Sequence, residues 1–137
     1  MNYLLDTNII SELTKPKPNE NLKHWLKEQN NDNLYLSVIT LGELQQGIKG
    51  ISGTKRSYLE HWLEIEVREW FEGKIICIDE KVMDAWSTLV VESKNSGRVI
   101  AAMDSLIAAT AIAYKLQLVT RNEKDFKNMV NFVNPFN

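Results

Sequence analysis

Four side chains suited to oxygen chemistry stand where the chain passes from one element to the next: Asp6 after Tyr3-Leu4-Leu5, Glu43 shortly after the apolar run Leu34–Ile39, Asp104 near the start of the apolar stretch leading to Leu118, and Asn122 after Val119-Thr120-Arg121. Carboxylate and amide oxygens without histidine make a hard donor set. That set favours Mg2+, with Mn2+ able to substitute, held by few protein ligands and several waters. Such a cation suits phosphoryl chemistry, because it neutralises phosphate charge and acidifies a bound water. Asp104 makes the strongest case. Its neighbours Ala101, Ala102, Met103, Leu106, Ile107, Ala108 and Ala111 are apolar, and a carboxylate in such a setting needs a cation or strong donors to stay charged. A metal shared with Asp6 and Glu43 meets that need. Thr7, Thr120 and Arg121 are the expected donors to substrate phosphate oxygens.

The same residues have structural readings. Asp6 or Thr7 can cap a helix, Thr40-Leu41-Gly42-Glu43 has capping-box spacing, and Asn122 with Asp125 can cap a last short helix. Other chemistries are excluded more firmly. Two histidines and one cysteine cannot build the usual zinc site. There is no G-x-S-x-G elbow, no phosphate loop of the G-x-x-x-x-G-K-[ST] type and no G-x-G-x-x-G after the first strand. His24 and His61 sit beside tryptophans on helices and read as surface or half-buried helix residues, and Cys77, within Lys74–Ile78, reads as a core cysteine in a buried strand.

To bring the four side chains together, the elements must alternate. Strands are expected at Tyr3–Leu5, Leu34–Ile39, Ile75–Ile78, Gln117–Thr120 and Asn131–Val133, with helices between them. The helices include a long aromatic and acidic one from about Lys55 to Phe71, one from Lys81 to about Ser96 and a buried one near Val99–Leu116. Strands alternating with helices predict an α/β fold with a mainly parallel sheet of four to five short strands. In such a layer, helix starts and strand ends share one edge of the sheet, which places Asp6, Glu43, Asp104 and Asn122 together at the carboxyl edge.

Leu4-Leu5-Asp6-Thr7-Asn8-Ile9-Ile10-Ser11-Glu12, Ser37–Leu44 with Gly47 beyond it, Asp104–Ala111, and Val119–Asn122 followed by Asp125-Phe126 resemble the ordered motifs of the PIN domain, in its VapC and FitB branch of type II toxin ribonucleases. The resemblance spans nearly the whole chain and implies one domain over residues 1–137 with the three-layer PIN-like fold, a parallel sheet flanked by helices. It implies a metal-dependent endoribonuclease, homodimerisation with assembly into larger toxin–antitoxin complexes, and inhibition by a small antitoxin. Asp6, Glu43 and Asp104 then form the acidic metal site. The sequence departs from the FitB-like pattern in having Asn122 where an aspartate follows the Thr-Arg pair, which makes Asp125 a further candidate ligand.

The 137-residue chain has a formal charge of −2 and is 44% apolar and 25% charged, which excludes disorder and a generally basic nucleic-acid binder. The charge is unevenly placed. Residues 60–92 hold nine acids against three bases, so the remainder is positive. Lys15, Lys17, Lys49, Lys55, Arg56, Arg98 and Arg121 are the candidates to face RNA phosphates. Trp62, Ile65, Trp70 and Phe71 are expected to pack in the core or a subunit or antitoxin interface, because base stacking wants a basic surround. No secretory signal or membrane span is expected, and a cytoplasmic location follows by default.

Two rival readings are distinguishable. A phosphatase with Asp6 as nucleophile lacks the D-x-D pattern, since Asn8 takes the second place. A catalytically weak or inactive module that binds RNA or protein would take up no manganese.

Overall fold

Short, mostly apolar runs of two to four residues supply the strands, whose pleat sends successive side chains to opposite faces. The computed structural model describes residues 1–137, in which β1 (Tyr3–Leu5), β2 (Leu34–Ser37), β3 (Ile75–Ile76), β4 (Gln117–Val119) and β5 (Phe132–Val133) form one parallel sheet in the order β3-β2-β1-β4-β5. Tyr3 is in register with both Leu34 and Gln117, so β1 lies at the centre. Leu5, Val119, Leu34 and Leu36 join one core, whereas Leu4 and Leu118 join the other. Leu4, Leu5 and Leu118 are fully buried, and truncating any of them to alanine costs about 2–5 kcal/mol.

The first core is closed by α1 (Thr7–Glu12), α2 (Glu20–Glu28), α3 (Val38–Lys49) and the helical run that begins with α4 (Thr54–His61). The second is closed by α6 (Glu80–Asn95), α7 (Ala102–Ala113) and the short α8 (Glu123–Phe126). Ala108, Ala109 and Ala111 are fully buried, and their small side chains let α7 lie close to the sheet. The expected three layers are therefore present. From β1 the chain builds outward through β2 to β3, then returns to the other side of β1 as β4. The gap between the ends of β1 and β4 is the topological switch point, where open α/β sheets bind ligands. No helix is long and apolar enough to cross a membrane.

Several local expectations are corrected. Ser37, not Thr40, caps α3: its extended backbone precedes the first helical residue and its hydroxyl accepts from Ile39 N. Glu43 thus falls in the second turn rather than closing a capping box. Strand β3 ends at Ile76 and Cys77 is exposed, because the chain leaves the sheet early to put Asp79 at the N-terminus of α6, where its carboxylate accepts from Val82 N. The last long helix starts at Ala102, leaving Val99 97% exposed in the preceding loop. Asn122 takes the N-cap position of α8, but its side chain does not cap; it donates to Asp125 Oδ2.

The helix expected over Lys55–Phe71 forms with a change of pitch. A π-helical stretch, Trp62–Val67, joins α4 to α5 (Arg68–Trp70). Buried Leu59, Leu63, Val67 and Phe71 recur every fourth residue. An α-helix of about 3.6 residues per turn would rotate this row away from the core, and the wider π turn keeps it aligned. The expected face is accordingly split. Phe71 is core, Trp62 and Trp70 are half-buried against it, and Ile65 and Tyr58 are 50% and 68% exposed.

Candidate active site

Asp6 ends β1 and caps α1, which fixes its carboxylate at the switch point. Its Oδ1 accepts from Thr7 N (2.8 Å), and its Oδ2 from Thr120 Oγ1 (2.8 Å) and Asn8 Nδ2 (3.3 Å). Thr120 directly follows β4, and Asp6 N donates to Val119 O at 2.9 Å, so the two strand ends are tied together. Glu43 reaches the same place from α3. Its Oε1 accepts from Thr7 Oγ1 (2.5 Å), which also lies 3.1 Å from Thr40 Oγ1. Asp104 enters from the first turn of α7, and no hydrogen bond from the chain acts on its carboxyl.

The electrostatics follow from this crowding. Asp6 is 5% exposed, and its pKa is pushed up to about 6, first by burial and further by Asp104 and Glu43, against the Thr120 and Thr7 hydrogen bonds that favour ionisation. The carboxyl of Asp104 is raised by burial, then by Asp125 and Glu43. None of the chain's ion pairs reaches this group: its lysines, arginines and histidines pair with Glu12, Glu20, Glu28, Glu60 and Glu64. Four acids sharing a field with no protein counter-charge fit a divalent cation. No three of the chain's acid, histidine or cysteine side chains converge closely enough to grip one ion directly. Mg2+ does not require that, because it usually keeps several waters and takes one or two carboxylates.

Asp6, Glu43, Asp104 and Asp125 are thus brought within electrostatic reach of one another, and Asn122 joins them through Asp125. The hydroxyls of Thr7 and Thr120 are turned onto Glu43 and Asp6, where they orient carboxylates instead of facing a substrate. Arg121 is exposed at the rim, its backbone N donating to Asn8 Oδ1 at 3.2 Å. Arg98 is engaged elsewhere. It donates to Asp125 O (2.9 Å), Lys124 O (3.4 Å) and Lys127 O, so it clamps α8 and does not face outward to phosphate.

Sequence reasoning missed Asn8 and Thr40. Asn8 bridges Asp6, Thr120 and Arg121, a role that its place two residues after a strand-end aspartate could have suggested. Thr40 is completely buried one helical turn before Glu43, so its hydroxyl shares the Thr7 contact.

Known proteins share this arrangement of elements. Residues 3–131 match the family described as PIN domain. The chain is 35% identical over 135 residues to the VapC ribonuclease Y4jK of Sinorhizobium fredii, covering 97% of this chain and 96% of that one. It is 39% identical over 124 residues to the toxin FitB of Neisseria gonorrhoeae, covering 90% and 89%. The crystal structure of FitAcB from Neisseria gonorrhoeae superposes with a TM-score of 0.93 at 38% identity, covering 98% of both chains.

Proposed function

The chain belongs to the PIN-domain family, with VapC and FitB proteins among its relatives, and from that premise we propose that it is a metal-dependent endoribonuclease and the toxin of a toxin–antitoxin pair. The observation that carries this reading is the group of carboxylates at the switch point, drawn from β1, α3 and α7 and given no cation by the chain. Mg2+ or Mn2+ would be held directly by one or two of Asp6, Asp104 and Glu43 and through its retained waters by the rest, with Asp125 beside them. When bound, the cation supplies charge neutralisation at the scissile phosphate and acidifies water.

The chain's own residues do the positioning. Thr120, Thr7 N and Asn8 hold the Asp6 carboxylate in one orientation with neutral donors, which leave its charge available. Thr7 holds Glu43 in the same way, and Thr40 buttresses Thr7. Asn122 fixes Asp125 next to Asp104. Arg121, at the rim, meets the RNA backbone. The exposed face of α4 and the π stretch, apolar at Tyr58 and Ile65 and acidic around them, is where a homodimer partner or a basic antitoxin docks.

Asp104→Asn tests the assignment. Purified variant protein should cut RNA at least about a hundredfold more slowly in magnesium or manganese while keeping its melting temperature, in line with the cost of losing a metal-ordering group. Cleavage at the unaltered rate would remove Asp104, and the site built on it, from the reaction.

A further inference from the structure

Beside the acidic site lies a second charged cluster of opposite character. Glu12, the last residue of α1, is 7% exposed, and both carboxylate oxygens are occupied. Its Oε2 accepts from Asn19 N at 2.9 Å, while Oε1 lies 2.9 Å from Lys15 Nζ and 4.0 Å from Arg121 Nη1. The Arg121 guanidinium also lies over the Phe136 ring, 5.3 Å from the ring centroid. Phe136 is itself tied down, its carbonyl accepting from Asn21 Nδ2 and its N donating to Asn134 Oδ1. The side chains of Lys15 and Arg121 remain 56% and 59% exposed.

We propose that Glu12 and Phe136 are positioning residues that hold the Arg121 guanidinium, with Lys15 beside it, as a rim subsite for a backbone phosphate of the RNA next to the one cleaved. This deepens the ribonuclease reading and rests on it. The juxtaposition carries the inference. Arg121 directly follows Thr120, whose hydroxyl donates to Asp6, and its backbone N is held by Asn8, which also donates to Asp6. A phosphate on Arg121 is therefore in register with the carboxylate group through two fixed links. Two cations on one carboxylate leave the cluster with a net positive charge, and a guanidinium fixed against an aromatic face loses less rotamer freedom when it forms paired hydrogen bonds to phosphate. An arginine free in solvent would be ordered only on binding. Phe136 brings the C-terminal segment into the same task, because its backbone contacts hold the ring under the guanidinium.

The test uses the full chain and a short single-stranded RNA, kept intact by a chelator that removes divalent metal, with binding followed by fluorescence anisotropy over a range of monovalent salt. Arg121→Ala should weaken binding roughly tenfold and reduce the slope of log affinity against log salt by about 0.7, the value for one phosphate contact on a single strand. Glu12→Gln, which keeps an acceptor for Asn19 N, should weaken binding severalfold in the parent background and have no further effect in Arg121→Ala. Phe136→Leu, farther from the buried carboxylate, should give a smaller loss with the same dependence on Arg121. In cleavage assays all three should raise KM and spare kcat. Unchanged binding and salt slope in Arg121→Ala would overturn the proposal. Independent, multiplying losses for Glu12→Gln and Arg121→Ala would show that Glu12 does not act through Arg121 and would equally overturn it. Because binding is read without metal, failure of the catalytic reading appears separately, as undiminished cleavage by Asp104→Asn.

Discussion

The two ends of α1 each shield a carboxylate from solvent, and they treat it in opposite ways. Asp6 at the N-terminus and Glu12 at the C-terminus are 5% and 7% exposed. Around Asp6 the donors are neutral, an N–H, a hydroxyl and an amide, and the nearby charges are the acids Glu43 and Asp104. Around Glu12 stand Lys15 and Arg121, and its pKa is lowered, most by the Lys15 hydrogen bond. Neutral donors orient a carboxylate without cancelling its charge, whereas cations cancel it. Burial of an acid is therefore uninformative until its counter-charge is found. Where the chain supplies one, the acid organises its neighbours; where it does not, the acid is suited to a cation brought from outside.

Removing either carboxylate should separate the two roles, with the largest effect at Asp6. Its folded pKa of about 6 lies above the ordinary aspartate value of 3.8. The unfolded chain then loses its proton first, and metal-free stability falls as pH rises from about 4 through about 6. Above that range the penalty is of order 3 kcal/mol. Asp6→Asn should raise the melting temperature of metal-free protein at pH 8 and remove the stabilisation by added manganese that the parent shows. An Asp6→Asn protein that melts lower than the parent, or that still gains from manganese, would mean that Asp6 is only a cap.

At Glu12 the sign reverses. Its folded pKa is depressed, so its contribution is present above the unfolded pKa and lost as pH falls through the folded value. Glu12→Gln should lower the melting temperature at pH 7, with the difference from the parent shrinking in acid. A difference independent of pH would assign its role to packing. A smaller effect is expected from Arg98→Ala, which frees the carbonyls at the end of α8. It should cost about 1 kcal/mol in denaturant unfolding and raise hydrogen exchange in α8. The smallest is expected from Asn122→Asp, which adds an acid beside Asp125. Calorimetry should show manganese affinity rising by about two- to threefold and metal-free stability falling by less than about 1 kcal/mol.

What could be read from the residues in advance was governed by local rules. Asp6 and Asn19 cap as their types suggest, the apolar triplets pair as a parallel sheet, and that topology alone gathers Asp6, Glu43, Asp104 and Asn122 at one edge. The misses have a common origin in contacts distant along the chain. Glu12 looks like any helix-surface acid until Arg121 arrives from beyond β4. Thr40 imitates a cap because the better-placed Ser37 differs only in backbone geometry, and its true partner, Thr7, lies in α1. Cys77 reads as core from its isoleucine neighbours, yet the two-residue strand β3 ends before it.

The π stretch at Trp62–Val67 has a consequence for how this chain can change length. Leu59 and Phe71 are joined by three turns that use one residue more than an α-helix needs, since eleven residues complete about three turns. Deleting a single residue within the stretch would close it into regular α-helix and return Phe71 to the same side as Leu59, with β3 and the switch point left in place. Closely related chains can therefore differ by one residue here without a compensating change elsewhere, and an alignment gap at this point would mark a change of helical pitch, with no loop gained or lost.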